Sequence, residues 1–152
     1  MNGIFKTIST LVIAFASTVS TADVAIITNA EANIGDADVS SIRKIFLGER
    51  QSFPNGLNAD PINHSEGSPD RKTFFNDVLR MTEEGFDRNW KRKEKRSNTA
   101  YRPEVVDSYK DVLETVADSS GGIGYVDASM VNDSVKVLMI IKTSEGEMMG
   151  NI

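Results

Sequence analysis

The stretch from Ser119 to Val126 reads SSGGIGYV and marks a change from helix to strand. The serine–glycine run is typical of a helix end, because glycine adopts the left-handed conformation that often follows the last helical turn. The apolar residues after it predict a buried strand. Upstream, a helical stripe predicts a helix from about 103 to 117 that packs on this strand, with Val105, Tyr109, Val112, Leu113 and Val116 on one face.

Outward from this stretch, the chain alternates further strand and helix signals. Apolar runs predict strands at 24–27, 61–64 and 135–141, of which the last is apolar enough to be central. Asp38, Ser68 and Thr82 are typical helix N-caps, and each precedes a helical pattern. The predicted apolar helix faces are Ile42, Ile45 and Phe46; Phe74, Phe75, Val78 and Leu79; and Phe86 with Trp90. Strands separated by helices predict an α/β fold with a mostly parallel or mixed sheet flanked by helices.

Composition limits the possible functions. The chain has 152 residues, no cysteine, one histidine and a net charge of −5. A single domain with a real core is expected. The negative charge disfavours a nucleic-acid partner, because such binders neutralise phosphates with basic residues. Without thiolates or a histidine cluster, the sequence predicts no metal site and no cofactor.

The first 22 residues have the three-part layout of a secretory signal peptide. Lys6 precedes an apolar run over 8–19, and Ser20 and Ala22 provide small residues before a cleavage site at Asp23. The run is too short for a membrane span, which needs about 20 apolar residues. We expect residues 1–22 to be removed and residues 23–152 to form a periplasmic or secreted protein without a transmembrane segment.

Three motifs in order resemble the substrate-binding proteins of phosphate ABC transporters. The residues IFLG at 45–48 with FPNG at 53–56 resemble that family's "IFxG…W" element. The residues EGS at 66–68, before a helix with Phe74, resemble its "DGSGT…F" anion loop, and GGIGYV at 121–126 resembles its "PGAIGYV" strand. The resemblance implies the type 2 periplasmic-binding-protein fold, in which two α/β lobes close on a ligand. Residues 23–152 are too few for both lobes, so a single lobe is expected.

The resemblance also implies a site and a ligand class. It implies weak binding of phosphate or another small oxyanion, for uptake or sensing, at the start of the second helix. Ser68 and Arg71 would contact the anion and His64 would lie at the rim, whereas Asp70 would add a repelling charge. The family's arginine, glycine and threonine are replaced by His64, Pro69 and Asp70. Pro69 has no N–H to donate, so we expect millimolar rather than micromolar affinity.

Simpler interpretations remain open for the same residues. Ser68 and Pro69 are ordinary helix-start residues, and Arg71 is expected to pair with Glu66 or Asp70 if it does not bind a ligand. His64 would then be solvated or hydrogen-bonded. No nucleophile motif or spaced carboxylate pair predicts an enzyme.

A basic cluster provides the alternative function. Six basic residues lie within nine positions of an otherwise acidic chain: Arg88, Lys91, Arg92, Lys93, Lys95 and Arg96. They form either a solvated helix end or a docking patch for an acidic protein surface or anionic lipid head groups. In the second case the protein would be a non-catalytic adaptor that has lost ligand capture and docks on an envelope partner, such as a sensor or an outer-membrane complex.

Overall fold

The computed structural model describes residues 23–143, so the predicted signal peptide lies outside the described residues. The elements in chain order are β1 Val24–Asn29, α1 Val39–Phe46, β2 Asp60–His64, α2 Pro69–Phe74, a π-helical turn Phe75–Leu79, α3 Glu83–Arg96, β3 Glu104–Val106, α4 Tyr109–Asp118, β4 Gly122–Asp127, a 3-10 turn Ala128–Met130 and β5 Val135–Ile141.

The five strands form one mixed sheet in the order β3-β2-β4-β1-β5. Strand β1 pairs antiparallel with β4 and β5, whereas β2 runs parallel to β3 and β4. This confirms the predicted mixed sheet and places the three strands near 24–29, 122–127 and 135–141 side by side. Strand β5 is at the edge rather than at the centre, and its outer residues are correspondingly exposed.

Helices cover both faces of the sheet. Helix α4 packs on one face through Val112, Leu113 and Val116, against Ala25, Ile27 and Val126. The other face is covered by α1, α2 and α3, whose apolar residues join the larger core cluster. Its centre is aromatic: the Phe74 ring stacks on Tyr125 at 4.0 Å, and Phe46 meets Phe74 edge-on at 4.7 Å. The predicted apolar faces of these helices are therefore buried.

The predicted helix start at about 103 is wrong. Residues Glu104–Val106 form strand β3 against β2, and helix α4 begins at Tyr109. The N-cap is Ser108, whose side chain accepts a hydrogen bond from the Asp111 N–H at 3.1 Å. Val105 matched the helical stripe but lies exposed on the edge strand. Pairing with β2 therefore outweighs the local helical pattern.

The other helix starts agree with the sequence. Asp38, Ser68 and Thr82 are the N-caps of α1, α2 and α3, and each side chain accepts a hydrogen bond from a backbone N–H three residues later. Within residues 23–143, no helix is both long and apolar enough to cross a membrane.

Candidate binding site at the start of α2

The candidate site lies where β2 ends and the chain turns into α2. His64 is the last residue of β2, and Ser68 caps α2 after a short turn. Strands β2, β3 and β4 run parallel to one another, so their carboxyl ends share this edge of the sheet. In α/β sheets, ligands bind outside the carboxyl ends of parallel strands. The fold therefore puts this turn where a ligand is expected.

Ser68 is the predicted site residue that lines an open depression beside this turn. Its hydroxyl accepts the Arg71 N–H at 3.4 Å, a long and weak cap. It is half-buried and lines an open depression of about 610 Å³. The depression is also bordered by Lys72 of α2, by Asn76 of the π-helical turn that follows it, and by Thr82 and Glu83 at the start of α3.

Arg71 is buried and fully engaged within the chain. Only 5% of it is exposed. Its Nε and Nη2 donate to the two carboxylate oxygens of Glu83 at 2.7 and 2.6 Å, and its Nη1 donates to the His64 carbonyl at 2.6 Å. The guanidinium also lies 4.5 Å from the centre of the Phe75 ring. The expected pairing with Glu66 or Asp70 is therefore wrong: the partner is Glu83, on the next helix.

The Arg71–Glu83 pair dominates the local electrostatics. Burial alone would lower the pKa of Arg71, but the hydrogen bonds and the negative charge of Glu83 outweigh it, so the pKa is raised. A bidentate arginine–carboxylate pair has the geometry that an arginine–oxyanion pair would have. The charge that was expected to attract a ligand is thus already neutralised by the chain.

His64 is buried and does not lie at the rim of the site. It is 4% exposed, and its Nε2 lies 2.6 Å from the Tyr125 carbonyl. A carbonyl only accepts, so Nε2 is the donor. The Tyr125 hydroxyl accepts the His64 backbone N–H at 3.4 Å and donates to the Asn63 side-chain oxygen. The histidine therefore links β2 to β4 and does not face the depression.

Asp70 is half-buried and has a partner in the chain. Its carboxylate accepts the Asp127 N–H at 3.1 Å, at the end of β4. Burial raises the pKa of this carboxyl, although the hydrogen bond from Asp127 opposes the effect. The repelling charge predicted near Ser68 is present, and it is held towards β4.

Lys72 is the cation that sequence reasoning missed. It is exposed, and it borders the depression together with Ser68. Residues four apart share one face of a helix, so Ser68 followed by Lys72 was the available signal. Arg71, the predicted replacement for the family's arginine, is turned towards the core instead.

Two side chains of the basic cluster form polar contacts with other residues, and the other four form no ion pair within residues 23–143. Lys91 pairs with Asp87 at 2.7 Å, and Lys93 donates to the Gly48 carbonyl at 3.3 Å. The remaining members are exposed, form no ion pair with any residue in 23–143, and are spaced four, three and one residues apart: Arg88, Arg92, Lys95 and Arg96. That spacing places them along one face of α3.

No protein-family model and no curated protein matches the sequence. Solved structures do match the fold. A phosphate ABC transporter substrate-binding protein from Clostridium perfringens, solved with bound phosphate, superposes with a TM-score of 0.62 at 18% identity, over 85% of this chain. An ABC-type phosphate transport receptor from Vibrio cholerae gives 0.61 at 17% identity over 78%, and PstS from Borrelia burgdorferi gives 0.58 at 20% over 77%.

These matches cover 51%, 47% and 47% of the three solved chains, so the protein spans about half of their length. Its fold is that of a single lobe of a periplasmic binding protein, as the motif order predicted.

Proposed function

We propose that this protein is an exported, non-catalytic, solute-binding-like module that binds small oxyanions weakly at the start of α2. The observation that carries the proposal is the open depression lined by Ser68 and Lys72, which lie on the same face of a helix start. Two further observations support it: the position at the carboxyl ends of parallel strands, and the phosphate bound to one similar structure.

The other predicted site residues would affect the site without contacting the anion. Arg71 and His64 fix the turn through the hydrogen bond from the guanidinium to the His64 carbonyl. Asp70 and Glu83 contribute negative charge that weakens anion binding, and Pro69 withholds one N–H. Among residues 23–143, Lys72 is the basic residue that lines the depression, so we expect a dissociation constant nearer 1 mM than 1 μM, which corresponds to about −4 rather than −8 kcal/mol. Such affinity would suit uptake or sensing at high ligand concentration.

Export rests on the signal-peptide pattern of residues 1–22. The expected product begins at Asp23, and the intact mass of the protein recovered from the periplasm tests this. A product that retains Lys6 would contradict it.

A second candidate function is supported by the four basic residues of α3 that form no ion pair within residues 23–143. The opposite face of this helix buries Phe86 and Trp90 in the core, so the exposed Arg88, Arg92, Lys95 and Arg96 present their charge on the outer face. An acidic segment of an envelope protein would match such a surface, and its binding would weaken as salt rises. In that case the protein is an adaptor rather than a capture protein.

Calorimetry with phosphate and sulfate tests the first candidate. Replacing Ser68 or Lys72 with alanine should weaken anion binding by about tenfold, because each change removes one charged or polar contact of roughly 1.4 kcal/mol. Lys110→Ala is the matched control, since this exposed lysine lies on α4. If the wild-type protein takes up no anion, or if all three variants bind equally, the site is not at α2 and the adaptor function becomes the better explanation.

A further inference from the structure

The turn FPNG at 53–56 contains the one asparagine–glycine pair of residues 23–152. The backbone nitrogen that follows an asparagine can attack the side-chain amide carbon Cγ. Glycine favours this attack, because it has no side chain to obstruct the approach and its backbone is unusually free. The attack forms a five-membered succinimide and releases ammonia, and water then opens the ring to aspartate or isoaspartate. Asn55 is therefore the most labile asparagine of the expected exported chain by its sequence context.

The surroundings of this turn leave room for the reaction. Asn55 and Gly56 are both exposed. Gly56 has a positive φ of +88°, and a Cβ added to it would meet no other atom within 4 Å. Water and hydroxide, which remove the proton from the attacking nitrogen and later open the ring, can therefore reach both residues.

Three hydrogen bonds hold the reacting groups in the folded chain. The Gly56 N–H, whose nitrogen would attack, donates to the Phe53 carbonyl at 2.9 Å. The Asn55 side-chain nitrogen donates to the Asn33 carbonyl at 2.6 Å, and its side-chain oxygen accepts the Leu57 N–H at 3.0 Å. The attack needs a deprotonated nitrogen and a side chain that can turn towards it, so all three bonds oppose the reaction. Local opening of the turn removes this protection.

The two products change the turn in different ways. Aspartate at position 55 loses the donor to the Asn33 carbonyl and adds a negative charge beside it. Isoaspartate does the same and also routes the main chain through the side-chain carbon, which adds one atom to the backbone between Phe53 and Leu57. These two residues close the turn, since the Phe53 N–H donates to the Leu57 carbonyl at 2.8 Å, and Phe53 is buried in the core. A longer backbone therefore loosens the attachment of Phe53.

We propose that Asn55 is a modification site at which the chain deamidates spontaneously to isoaspartate and aspartate, and that the folded turn slows this reaction. The amide nitrogen leaves as ammonia and one water molecule is consumed, so neither an enzyme nor an oxidant is required. The inference does not depend on anion binding at Ser68, because the turn at 53–56 lines neither end of α2.

Peptide mapping of the full chain tests the proposal. The protein is incubated in mildly alkaline buffer with and without urea, and trypsin then releases the peptide 51–71, which contains Asn55, Asn58 and Asn63. Fragmentation locates the mass gain that accompanies the conversion of an amide to an acid. We expect it at Asn55, about tenfold faster in urea than in native buffer, the factor that a local opening free energy of about 1.4 kcal/mol gives.

The same peptide contains its own control. Asn58 is also exposed but precedes an alanine, so it should keep its amide over the same period. The proposal is overturned if Asn55 keeps its amide under both conditions, if Asn58 reacts as fast as Asn55, or if urea leaves the rate at Asn55 unchanged.

Variants separate the chemistry from its effect on the turn. Asn55→Gln keeps an amide but would have to close a six-membered ring, so the mass gain at this position should disappear. Asn55→Asp carries the charge of the product without the additional backbone atom. Its urea midpoint should lie above that of the isoaspartyl protein isolated by ion exchange, because only isoaspartate lengthens the turn at Phe53. A mass gain that persists in Asn55→Gln would place the modification elsewhere, and equal midpoints would contradict the loosening of Phe53.

Discussion

The two ends of strand β2 differ in how their polar groups are satisfied. At the carboxyl end, the chain supplies partners for the guanidinium of Arg71, the imidazole Nε2 of His64 and the side-chain oxygen of Asn63. At the amino end, a cavity of about 480 Å³ adjoins Trp90, whose indole N–H has no partner in the described part of the chain.

The difference affects what a ligand can gain at each end. At the carboxyl end, an anion must compete with Glu83 for Arg71 or rely on Lys72 alone. At the amino end, the Trp90 nitrogen has no partner within residues 23–143 but also almost no accessible surface, so a ligand gains no hydrogen bond from it. Resemblance to a known binding loop, or an unpaired donor beside a cavity, therefore does not by itself provide a free group for a ligand.

The largest effect is expected from Glu83→Ala. The substitution leaves the Arg71 guanidinium buried without its carboxylate. Breaking a fully buried pair costs about 3–5 kcal/mol. The Glu83 side chain is 41% exposed, so the loss in unfolding free energy should be nearer 2–3 kcal/mol. Urea denaturation measures it. Phosphate affinity should rise in the same variant, because the guanidinium loses its internal anion.

Glu66→Ala is the control for this prediction. Glu66 is exposed and forms no ion pair with Arg71 in the structure. Its removal should change the unfolding free energy by less than about 0.5 kcal/mol. Equal losses in the two variants would mean that Glu83 has no special role in holding Arg71.

Tyr125→Phe is expected to have the next largest effect. It removes the hydroxyl that bonds Asn63 and the His64 backbone, and both partners are buried. Leaving buried polar groups unsatisfied costs about 1–3 kcal/mol. Tyr101→Phe removes the same atom from an exposed ring and should be neutral in urea denaturation. If Tyr125→Phe is equally neutral, the hydrogen bonds at this end of β2 contribute little.

The sequence predicted the features that depend on neighbouring residues. The caps Asp38, Ser68 and Thr82 were identifiable because each capping hydrogen bond spans three residues. The change from helix to strand at 119–126 also depends on neighbouring residues, so its position could be predicted. Gly121 also makes a long-range contact. A Cβ at this position would lie 1.9 Å from the Asn58 carbonyl oxygen, so the segments at Gly121 and Asn58 are too close for a side chain here.

The features that the sequence did not predict depend on distant contacts. Arg71 meets a carboxylate twelve residues away on another helix, and no local pattern distinguishes Glu83 from the nearer Glu66. Strand β3 has three residues and exists through its pairing with β2. The Trp90 cavity is assembled from segments spread between Ile45 and Ser119, and the tryptophan alone indicated only a core position.

Thr28→Val tests how much a buried hydroxyl without a hydrogen-bond partner lowers the free energy of unfolding. Thr28 is fully buried in β1, and its hydroxyl has no partner within residues 23–143. Valine has nearly the same shape and removes the hydroxyl, so the unfolding free energy should rise by about 1 kcal/mol. Thr99→Val, on the exposed segment after α3, is the control. It removes only a solvent-exposed hydrogen bond to Ser97 and should change the unfolding free energy by less than about 0.5 kcal/mol. A loss of stability in Thr28→Val would show that the hydroxyl has a partner, such as a buried water.

The smallest effect is expected from Asp70→Asn, and it depends on pH. Burial raises the pKa of Asp70 above its usual 3.8. As pH rises past that value, the unfolded chain loses this proton first, so the folded state binds more protons and stability falls until the folded-state carboxyl is also ionised. Asparagine keeps an acceptor for the Asp127 N–H and does not titrate. The stability of the variant relative to the wild type should therefore increase from pH 3 to pH 7. Urea denaturation at pH 3, 5 and 7 measures this difference, with the exposed Asp107→Asn as the control. A difference that stays constant with pH would mean that the chain compensates the buried carboxylate fully, and that Asp70 does not oppose an anion at Ser68.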